Sequence, residues 1–264
     1  MKTESAVYIL LPAYNEEKSL DRLLPKIASA FSDECRQKCH VIVCNDGSSD
    51  QTGEILLRYQ QKMPLTVITH IYNRGLGETS RDLFEKAAEL STNDDFIVRL
   101  DCDDTHEPVF IRSMIEKLEQ GFDVVIASRF QPGGGQKGVS TYRKLISWLA
   151  NKFMKLCFPI RGINEYSCGF RAYRASVIKK AIAVFGNNFI QLKGLGFTCT
   201  LEKIVKLMIL GARFSEVPFV LKYNQKLSNS KMVTSITTFG YFTLALLYHW
   251  PWGGWKSLYR GQRL

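Results

Sequence analysis

Short apolar runs alternate with amphipathic stretches through the first half of the chain. The runs are apolar nearly throughout, which is typical of strands covered on both faces. They predict strands at residues 7–11, 40–44, 65–69, 96–100 and 123–127. The stretches between them have helical periodicity and predict helices at residues 17–30, 52–62, 76–90 and 107–120. Because strands and helices alternate, we expect parallel pairing in a doubly wound sheet, an α/β fold.

The second half of the chain has a less regular pattern. The glycine-rich segment 131–138 predicts a flexible loop rather than a helix or a strand. Helical periodicity follows at residues 142–158, near 175–184 and near 198–210, and an apolar run predicts a strand near 217–221. The tail at residues 233–250 is apolar but also contains threonine and serine. The sequence has no internal repeat.

The composition is that of a basic globular protein. Hydrophobic residues make up 45% of the 264 positions, enough for a buried core, and the formal charge is +10. A cationic surface favours anionic partners such as nucleic acid, acidic lipid or phosphorylated substrates. The positive residues concentrate around residues 137–155 and in the tail. Because no nucleic-acid recognition motif is present, we expect no nucleic-acid partner.

The seven cysteines are odd in number and form no CxxC pair. The first residues lead directly into an apolar, strand-like run without a signal peptide. We therefore expect free thiols and a cytoplasmic location. Cys35 and Cys39 are one helical turn apart, but a zinc site there would need two further ligands, and none is placed to help.

Polar and acidic residues follow the predicted strands. The carboxyl ends of parallel strands meet at one edge of a sheet, where ligands bind in such folds. Asp101 and Asp103 come directly after the fourth strand. Two carboxylates one residue apart can both reach Mg²⁺ or Mn²⁺, ions that often share their oxygen ligands with a diphosphate. The sequence therefore predicts a divalent-metal site, with a solvated acidic turn as the alternative.

Two other segments at strand ends have weaker signals. Asp46, Gly47 and Ser48 form a common turn sequence, and the functional interpretation of Asp46 is a carboxylate that hydrogen-bonds to a base or ribose. The segment 73–77 contains two glycines and only loosely matches a phosphate-binding loop. Simple turn formation is the alternative for the first segment, and a lone glycine loop such as the second is weak evidence of a phosphate site.

Taken in order, these segments resemble the family 2 glycosyltransferases of GT-A fold, and among them the dolichyl- or polyprenyl-phosphate mannose synthases. The resemblance covers roughly residues 6 to 232. It is carried by Pro12-Ala13-Tyr14-Asn15-Glu16-Glu17, Asn45-Asp46-Gly47-Ser48-Ser49-Asp50-Gln51-Thr52, Asn73-Arg74-Gly75-Leu76-Gly77, Asp101-Cys102-Asp103, Ser128-Arg129-Phe130, Ser167-Cys168-Gly169-Phe170-Arg171-Ala172-Tyr173, Glu216-Val217-Pro218 and Ser230-Lys231-Met232. It implies a Rossmann-like, mostly parallel central sheet flanked by helices. It also implies inverting transfer of a sugar, mannose or similar, from a nucleotide sugar to a polyprenyl or dolichyl phosphate.

The resemblance further implies roles for individual residues. The expected contacts of the nucleotide sugar, GDP-mannose in preference to a UDP-sugar, are Pro12, Tyr14, Glu16, Cys44, Asp46, Asp101, Cys102, Asp103, Arg129 and Lys231. The expected metal ligands are Asp101, Asp103 and Thr105, with Asp103 the most direct. The expected catalytic residues are Asp103, Arg129, Arg143 and Glu165. The expected contacts of the lipid phosphate are Arg143 and Ser147.

Three positions depart from the family's pattern. Thr105 stands where many synthases have a glutamine that helps to hold the metal, and a hydroxyl is a weaker ligand. Glu165 stands where the family often has aspartate, so the charge is kept but moved by one methylene. Lys226 stands where an arginine is usual, which keeps the charge without its bidentate geometry.

The helix predicted at residues 142–158 combines basic residues with an apolar stripe. The stripe consists of Leu145, Trp148, Leu149, Phe153 and Leu156. A cationic amphipathic helix of this kind can lie in an anionic lipid surface. The alternative is a core-facing helix with a solvated basic face.

The tail is about the minimum length to cross a bilayer, but helical spacing places its apolar residues on one side and its threonines opposite. We therefore expect an interfacial helix. The predicted organisation is a GT-A domain at residues 1–232 and a membrane-associated amphipathic tail at residues 233–264. We expect peripheral attachment to the inner, cytoplasmic face of the membrane.

The acceptor decides what catalysis needs. A lipid phosphate is already anionic near neutral pH, so positioning and charge stabilisation would suffice. A saccharide hydroxyl, as in surface polysaccharide synthesis, would need a general base, and Asp104, His106 and Glu165 are the candidates. A third hypothesis is a non-catalytic, membrane-associated partner subunit.

Overall fold

Seven strands form the central sheet of the computed structural model, which describes residues 5–31, 39–227, 233–262 and 264. The strands of the central sheet are β1 Val7–Ala13, β2 Cys39–Asn45, β3 Leu65–Thr69, β4 Phe96–Arg99, β5 Val124–Ser128, β7 Arg171–Arg174 and β8 Phe214–Pro218. Their spatial order is β3-β2-β1-β4-β7-β5-β8. Two short strands, β6 Gly135–Lys137 and β9 Val220–Lys222, form a separate sheet.

Helices flank the sheet. Their bounds are α1 Glu17–Ala30, α2 Thr52–Gln60, α3 Leu76–Leu90, α4 Ile111–Glu119, α5 Thr141–Cys157, α6 Ala175–Phe185, α7 Thr198–Ile209, α8 Thr234–His249 and α9 Gly254–Leu258, with 3₁₀ turns at Pro108–Phe110, Gly186–Ile190 and Tyr223–Gln225. The bounds of α1, α3 and β3 are those predicted. On α1, Leu20, Leu23, Leu24 and Ile27 are buried. This is the spacing of one face of a helix, which is why periodicity located it.

The central sheet is mostly parallel. β1 pairs in parallel with β2 and β4, so that Val7 faces Cys39 on one side and Phe96 on the other. β2 pairs in parallel with β3, and β5 with β8. The carboxyl ends of these strands therefore meet at one edge, which positions the loops that follow them. The predicted α/β fold is confirmed.

β7 is a strand that the sequence pattern did not predict. It runs antiparallel between β4 and β5, and its register places Arg171 opposite Arg99. Arg171 is completely buried, and its guanidinium donates to the carbonyl oxygens of Thr200 and Tyr166. A four-residue strand that begins and ends in arginine lacks the apolar signal of a buried strand. Backbone carbonyl oxygens outside the strand make the burial of the Arg171 guanidinium possible.

Two predictions for the second half are wrong in part. The segment predicted as a flexible loop contains β6, which pairs in parallel with β9. The strand predicted near residues 217–221 is divided, because Pro218 ends β8 and the chain then enters β9. A proline has no N–H to continue a ladder, and here it stands at the end of a strand on the sheet edge.

The C-terminal helices pack against α7. Thr237, Gly240, Leu244 and Tyr248 are the buried residues of α8. A Cβ atom on Gly240 would lie 2.0 Å from Thr198 Oγ1, so glycine permits this close approach of the helices. Among the described residues, no helix combines the length and the apolar character that crossing a bilayer requires.

Candidate active site

Reciprocal hydrogen bonds hold together the loops that follow β1 and β2. Asn15 N donates to Ser48 Oγ at 2.9 Å, and Ser49 N donates back to Asn15 Oδ1 at 2.9 Å. Glu16 N donates to Thr52 Oγ1 at 2.9 Å. Asn15 has a φ of 50°, a left-handed conformation that asparagine tolerates better than most residues. The two loops therefore fix each other's shape through their own polar groups.

The predicted nucleotide contacts on the first loop lie along this edge. Pro12 and Tyr14 are partly exposed, whereas Glu16 is buried. On the next loop, Gly47 has a φ of 68°, and a Cβ atom there would lie 2.4 Å from the carbonyl carbon of Tyr72. Glycine at this position thus lets the loop after β2 contact the loop after β3.

Asp46 is the centre of a buried hydrogen-bond network. Its Oδ1 lies 2.6 Å from His70 Nδ1 and accepts from Arg74 N at 2.8 Å, and its Oδ2 accepts from Gly75 N at 2.9 Å. The other ring nitrogen of His70 lies 2.9 Å from Asp82 Oδ2. Both oxygens of Asp46 are therefore used within the protein, where they shape the loop after β3.

The sequence reasoning missed His70 and Asp82. His70 directly follows β3 and so lies at the same sheet edge as the other polar residues, a signal that could have found it. Cys44 also faces this network, with its Sγ 3.5 Å from His70 Nε2. Burial, then the charges of Asp46 and Asp82, raises the pKa of Cys44 to about 12, so the thiol stays neutral.

Asp101 and Asp103 lie directly after β4, as predicted. Asp103 Oδ1 accepts from the N–H of Thr105 at 3.2 Å and from its hydroxyl at 2.6 Å. Asp103 Oδ2 forms an ion pair with Lys226. Cys102, between the two carboxylates, is buried. The hydroxyl proton of Thr105 thus serves to orient Asp103.

These donors fit a hard divalent cation. Carboxylate and hydroxyl oxygens are the ligands that Mg²⁺ and Mn²⁺ prefer. In the part of the chain that the structure describes, no three His, Cys, Asp or Glu side chains converge as a metal-binding group. A cation beside Asp101 and Asp103 would therefore need further oxygens, from a diphosphate or from water, to complete its coordination.

Asp101 lies between Arg99 and His106. Arg99 Nη1 is 2.6 Å from Asp101 Oδ1, and the Asp101 N–H donates to His106 Nδ1 at 3.0 Å. Burial lowers the pKa of His106, although Asp101 and Asp103 act in the opposite direction. Burial acts to raise the pKa of Asp101, but the charges of Arg99 and Lys226 hold that pKa below its ordinary value. Asp101 is therefore a carboxylate beside a neutral imidazole.

Asp104 connects this loop to α1. Its carboxylate forms ion pairs with Arg22 at 3.2 Å and with Lys26 at 2.7 Å. Its backbone is left-handed, with a φ of 62°. This candidate base is buried and paired with two cations, an arrangement that suits a structural role.

Arg129 and Glu165 form a buried, two-point ion pair. Arg129 Nε donates to Glu165 Oε2 at 2.7 Å, and Nη2 donates to Oε1 at 2.8 Å. Glu165 Oε1 also accepts from the N–H groups of Ser167 and Cys168, each at 3.0 Å. Burial alone would raise the pKa of Glu165, but Arg129 and Ser167 hold it below its ordinary value. Glu165 is thus a fully bonded carboxylate that orients Arg129.

Arg143 and Ser147 lie one turn apart on α5. The guanidinium of Arg143 donates to Tyr223 Oη at 3.0 Å and lies 5.6 Å from the centre of that ring. Ser140 caps the helix, because its hydroxyl accepts from Arg143 N at 3.4 Å. Arg143 is exposed and Ser147 is half-buried. The predicted acceptor residues therefore share one accessible side of α5.

Two helices together present a surface that we call the apolar face. It consists of Tyr142, Leu145, Ile146, Trp148, Leu149 and Leu156 on α5, and of Ile236, Phe239, Phe242, Leu246 and Trp250 on and beside α8. Four members of the predicted α5 stripe do not face the core, because Leu145, Trp148, Leu149 and Leu156 are between 47% and 81% exposed. The fifth, Phe153, packs against the core. The rings of Phe153 and Phe242, 5.2 Å apart, join the two helices. Contiguous exposed apolar surface marks a site of interaction.

The sequence matches the family model "Glycosyl transferase family 2" over residues 8–182. This range includes the loops after β1 to β5 and the acidic pair. The chain belongs to glycosyl transferase family 2. The membership that the ordered segments predicted is therefore confirmed.

Two relatives of this family 2 chain are mannosyltransferases. A dolichol-phosphate mannosyltransferase of Pyrococcus furiosus is 30% identical over 214 residues, which cover 81% of this chain and 55% of the relative. An undecaprenyl-phosphate mannosyltransferase of Micrococcus luteus is 30% identical over 227 residues, which cover 86% of this chain and 87% of the relative. The chain thus spans about half the length of the first relative and most of the second.

The fold of this family 2 chain is similar to that of a solved mannosyltransferase from Pyrobaculum calidifontis, in complex with GDP-Man and Mn²⁺. The TM-score is 0.54 at 16% identity, over 84% of this chain and 57% of that protein. The similarity confirms the expected GT-A fold. Of the predicted site residues, Lys231 lies outside the described residues.

Proposed function

We propose that this family 2 chain transfers a hexose, mannose in preference to other sugars, from a nucleotide sugar to a polyprenyl phosphate at a membrane surface, with inversion. The observation that carries the proposal is the short path between Asp103 and Arg143. Lys226 contacts Asp103, and Tyr223 contacts Arg143. Three residues of chain span at most about 11 Å between the Cα atoms of Tyr223 and Lys226. The acidic pair and the proposed acceptor site are therefore contacted by two residues of the same short segment.

The names of the relatives support the choice of substrates. Two relatives are mannosyltransferases of dolichol phosphate and undecaprenyl phosphate, and the similar solved structure holds GDP-Man. GDP-mannose is therefore the first donor to test, with UDP-sugars as the second class. Pro12, Tyr14 and Glu16, on the loop after β1, would border the nucleoside.

Asp103 and Asp101 would hold Mg²⁺ or Mn²⁺ together with oxygens of the diphosphate. Such a cation neutralises the charge that develops on the leaving nucleoside diphosphate. Thr105 would keep Asp103 in its orientation through its hydroxyl, rather than act as a strong ligand itself. The Mn²⁺ of the similar solved structure supports a divalent ion in general terms.

The remaining residues would act by position and charge. Arg143 and Ser147 would receive the acceptor phosphate, which attacks the anomeric carbon as an anion and needs no strong base. Glu165 would hold Arg129, and Arg129 would in turn stabilise negative charge on the phosphates. The hydrogen bonds and the lowered pKa of Glu165 favour this positioning role over that of a general base.

The apolar face would attach the chain peripherally to the inner face of the membrane. Exposed tryptophan, leucine and phenylalanine beside basic residues suit insertion at the level of anionic headgroups. Extraction of membranes at high pH with carbonate is expected to release the chain. Retention in the bilayer after extraction would contradict peripheral attachment.

Transfer is tested with purified chain, Mn²⁺, undecaprenyl phosphate in vesicles and a panel of GDP- and UDP-sugars. Mass analysis of the lipid should detect a polyprenyl phosphate enlarged by one hexose, and GDP-mannose should give the highest rate. Parallel assays with saccharide acceptors distinguish the two acceptor classes. Transfer of the hexose to a saccharide, with none to undecaprenyl phosphate under the same conditions, would favour a saccharide hydroxyl instead.

A further inference from the structure

A short segment of the chain crosses the loop that carries the acidic pair. We call residues 220–226 the strap. Lys222 N donates to the Thr105 carbonyl oxygen at 3.3 Å, and Lys222 Nζ lies 3.3 Å from Glu107 Oε2. β9, in the first half of the strap, is anchored by its pairing with β6. The strap is therefore held in place independently of its last residue.

That last residue, Lys226, places its ammonium on Asp103. The ammonium forms an ion pair with Asp103 Oδ2, while Thr105 occupies Oδ1. Burial acts to lower the pKa of Lys226, but Asp103, followed by Asp101 and Glu16, holds that pKa above its ordinary value. A monovalent cation thus occupies Asp103, at the position that the proposed function gives to a divalent ion.

The other end of the turn contacts the acceptor side. The Tyr223 hydroxyl accepts from Arg143 Nη1 at 3.0 Å, and the guanidinium lies over its ring. Asp103 and Arg143 are thereby connected through a single turn, Tyr223–Gln225, followed by Lys226. A movement of Lys226 away from Asp103 would act directly on the turn that contacts Arg143.

We propose that Lys226 is a competing cation that holds Asp103 in the nucleotide-free chain and must leave before a divalent ion binds there. The proposal rests on the proposed function. Metal alone must displace an ion pair, whereas metal with a nucleoside diphosphate offers the displaced ammonium a new anionic partner. The divalent ion and the diphosphate therefore bind interdependently, and Lys226 is the residue that makes them so.

The test measures Mn²⁺ binding directly, by electron paramagnetic resonance of the free ion, rather than by activity. If Lys226 holds Asp103 in about nine of ten molecules, the apparent affinity for metal is reduced about tenfold. K226Q should therefore bind Mn²⁺ about tenfold more tightly than the wild type when nucleotide is absent. GDP should strengthen Mn²⁺ binding strongly in the wild type and much less in K226Q.

Two control variants isolate the effect. K222Q removes a lysine of the same strap that pairs with Glu107 and not with Asp103, and it should leave Mn²⁺ affinity unchanged. K226R keeps the charge and should retain the weak binding of the wild type. Circular dichroism and thermal unfolding check that each variant folds.

The outcomes separate the two proposals. Equal or weaker Mn²⁺ binding by K226Q, at intact fold, would overturn the competing-cation role and leave the proposed function standing. An equal gain in K222Q would also overturn it, because the strap as a whole would be responsible. If neither the wild type nor K226Q binds Mn²⁺ even with GDP or UDP, both proposals fail.

Discussion

The nucleotide side and the acceptor side of the molecule differ in how far their side chains find partners within the chain. On the nucleotide side, Asn15, Ser48 and Thr52 bond to each other's loops, and Asp46 and His70 form a closed network. On the acceptor side, α5 and α8 leave large apolar side chains such as Trp148 and Phe239 exposed. The named polar groups of the first region bond to one another, whereas the second region exposes apolar surface to water, which is unfavourable.

The difference teaches which parts of the site depend on a partner. A crevice whose polar groups are already bonded loses little conformational freedom when a ligand binds. An exposed apolar face gains stability only when another apolar surface covers it. Substitutions on the nucleotide side should therefore alter the stability or nucleotide binding of the isolated protein. Substitutions on the apolar face should mainly alter its binding to membranes.

The largest expected effect comes from breaking the ion pair of Arg129 and Glu165. E165Q leaves the buried Arg129 without its charge partner, a loss that costs about 3–5 kcal/mol of the free energy of unfolding. The folded pKa of Glu165 lies below its ordinary value of 4.5, so the stability from the pair is present above pH 4.5 and is lost as the pH falls below it. Urea unfolding at several pH values should therefore show less acid sensitivity in E165Q. Unchanged stability near pH 7 would contradict the importance of the pair.

The next effect concerns the acidic pair. D103N removes the charge that the proposed metal ion requires, and transfer should fall roughly 100- to 1,000-fold, as when one electrostatic contact to a transition state is lost. Lipid product formation with GDP-mannose measures it. D94N, a change of the same kind at an exposed aspartate, is the control and should retain full activity. Activity of D103N close to that of the wild type would remove Asp103 from the mechanism.

The third effect concerns the apolar face and is expected in membrane binding rather than in sugar transfer. Replacing Leu145, Trp148 and Leu149 by serine removes three half-exposed apolar side chains, each worth about 1 kcal/mol if the membrane buries it. Binding to anionic vesicles should weaken about 100-fold in sedimentation. Leu57→Ser, at another exposed leucine outside the two helices, should have no effect. Equal losses in both variants would mean that the apolar face is not a specific attachment site.

The smallest effect tests the closed network of the nucleotide side. H70Q cannot bond to Asp46 and Asp82 at the same time, so the loop after β3 loses part of its support. Nucleotide affinity should fall about tenfold, the equivalent of one or two hydrogen bonds. Calorimetric titration with GDP and UDP measures it. H249Q, at an exposed histidine of α8, should bind nucleotide like the wild type.

The parts of this fold that follow from local sequence were predictable. α1 and α3 were located by periodicity, and Asp101 and Asp103 by their place after an apolar run. The apolar stripe of α5 was also predicted. Periodicity identifies the apolar side of a helix, but it does not show whether protein, lipid or water contacts that side. Its exposure depends on where the rest of the chain packs.

The missed features depend on residues that are distant in sequence. Arg129 and Glu165 are 36 positions apart, and their pairing follows from the turn that brings the chain back beside β5. Asp46 looked like a free carboxylate because its partners His70 and Asp82 lie on other elements. Local sequence patterns carry no information about such contacts. The pattern around a polar residue is the same whether its side chain hydrogen-bonds to water or to a distant part of the protein.

The antiparallel strand β7 has a consequence for biosynthesis. Within the described part of the chain, β5 pairs in the central sheet with β7 and β8, and both come later in the sequence. While the ribosome extends the chain from β5 towards residue 171, β5 is without a sheet partner and β4 has one open edge. An unpaired apolar edge is a template for aggregation, so the nascent protein is most vulnerable during this interval. The four residues Arg171–Arg174 close the facing edges of β4 and β5 at once, and the other edge of β5 closes only when Phe214–Pro218 pairs with it.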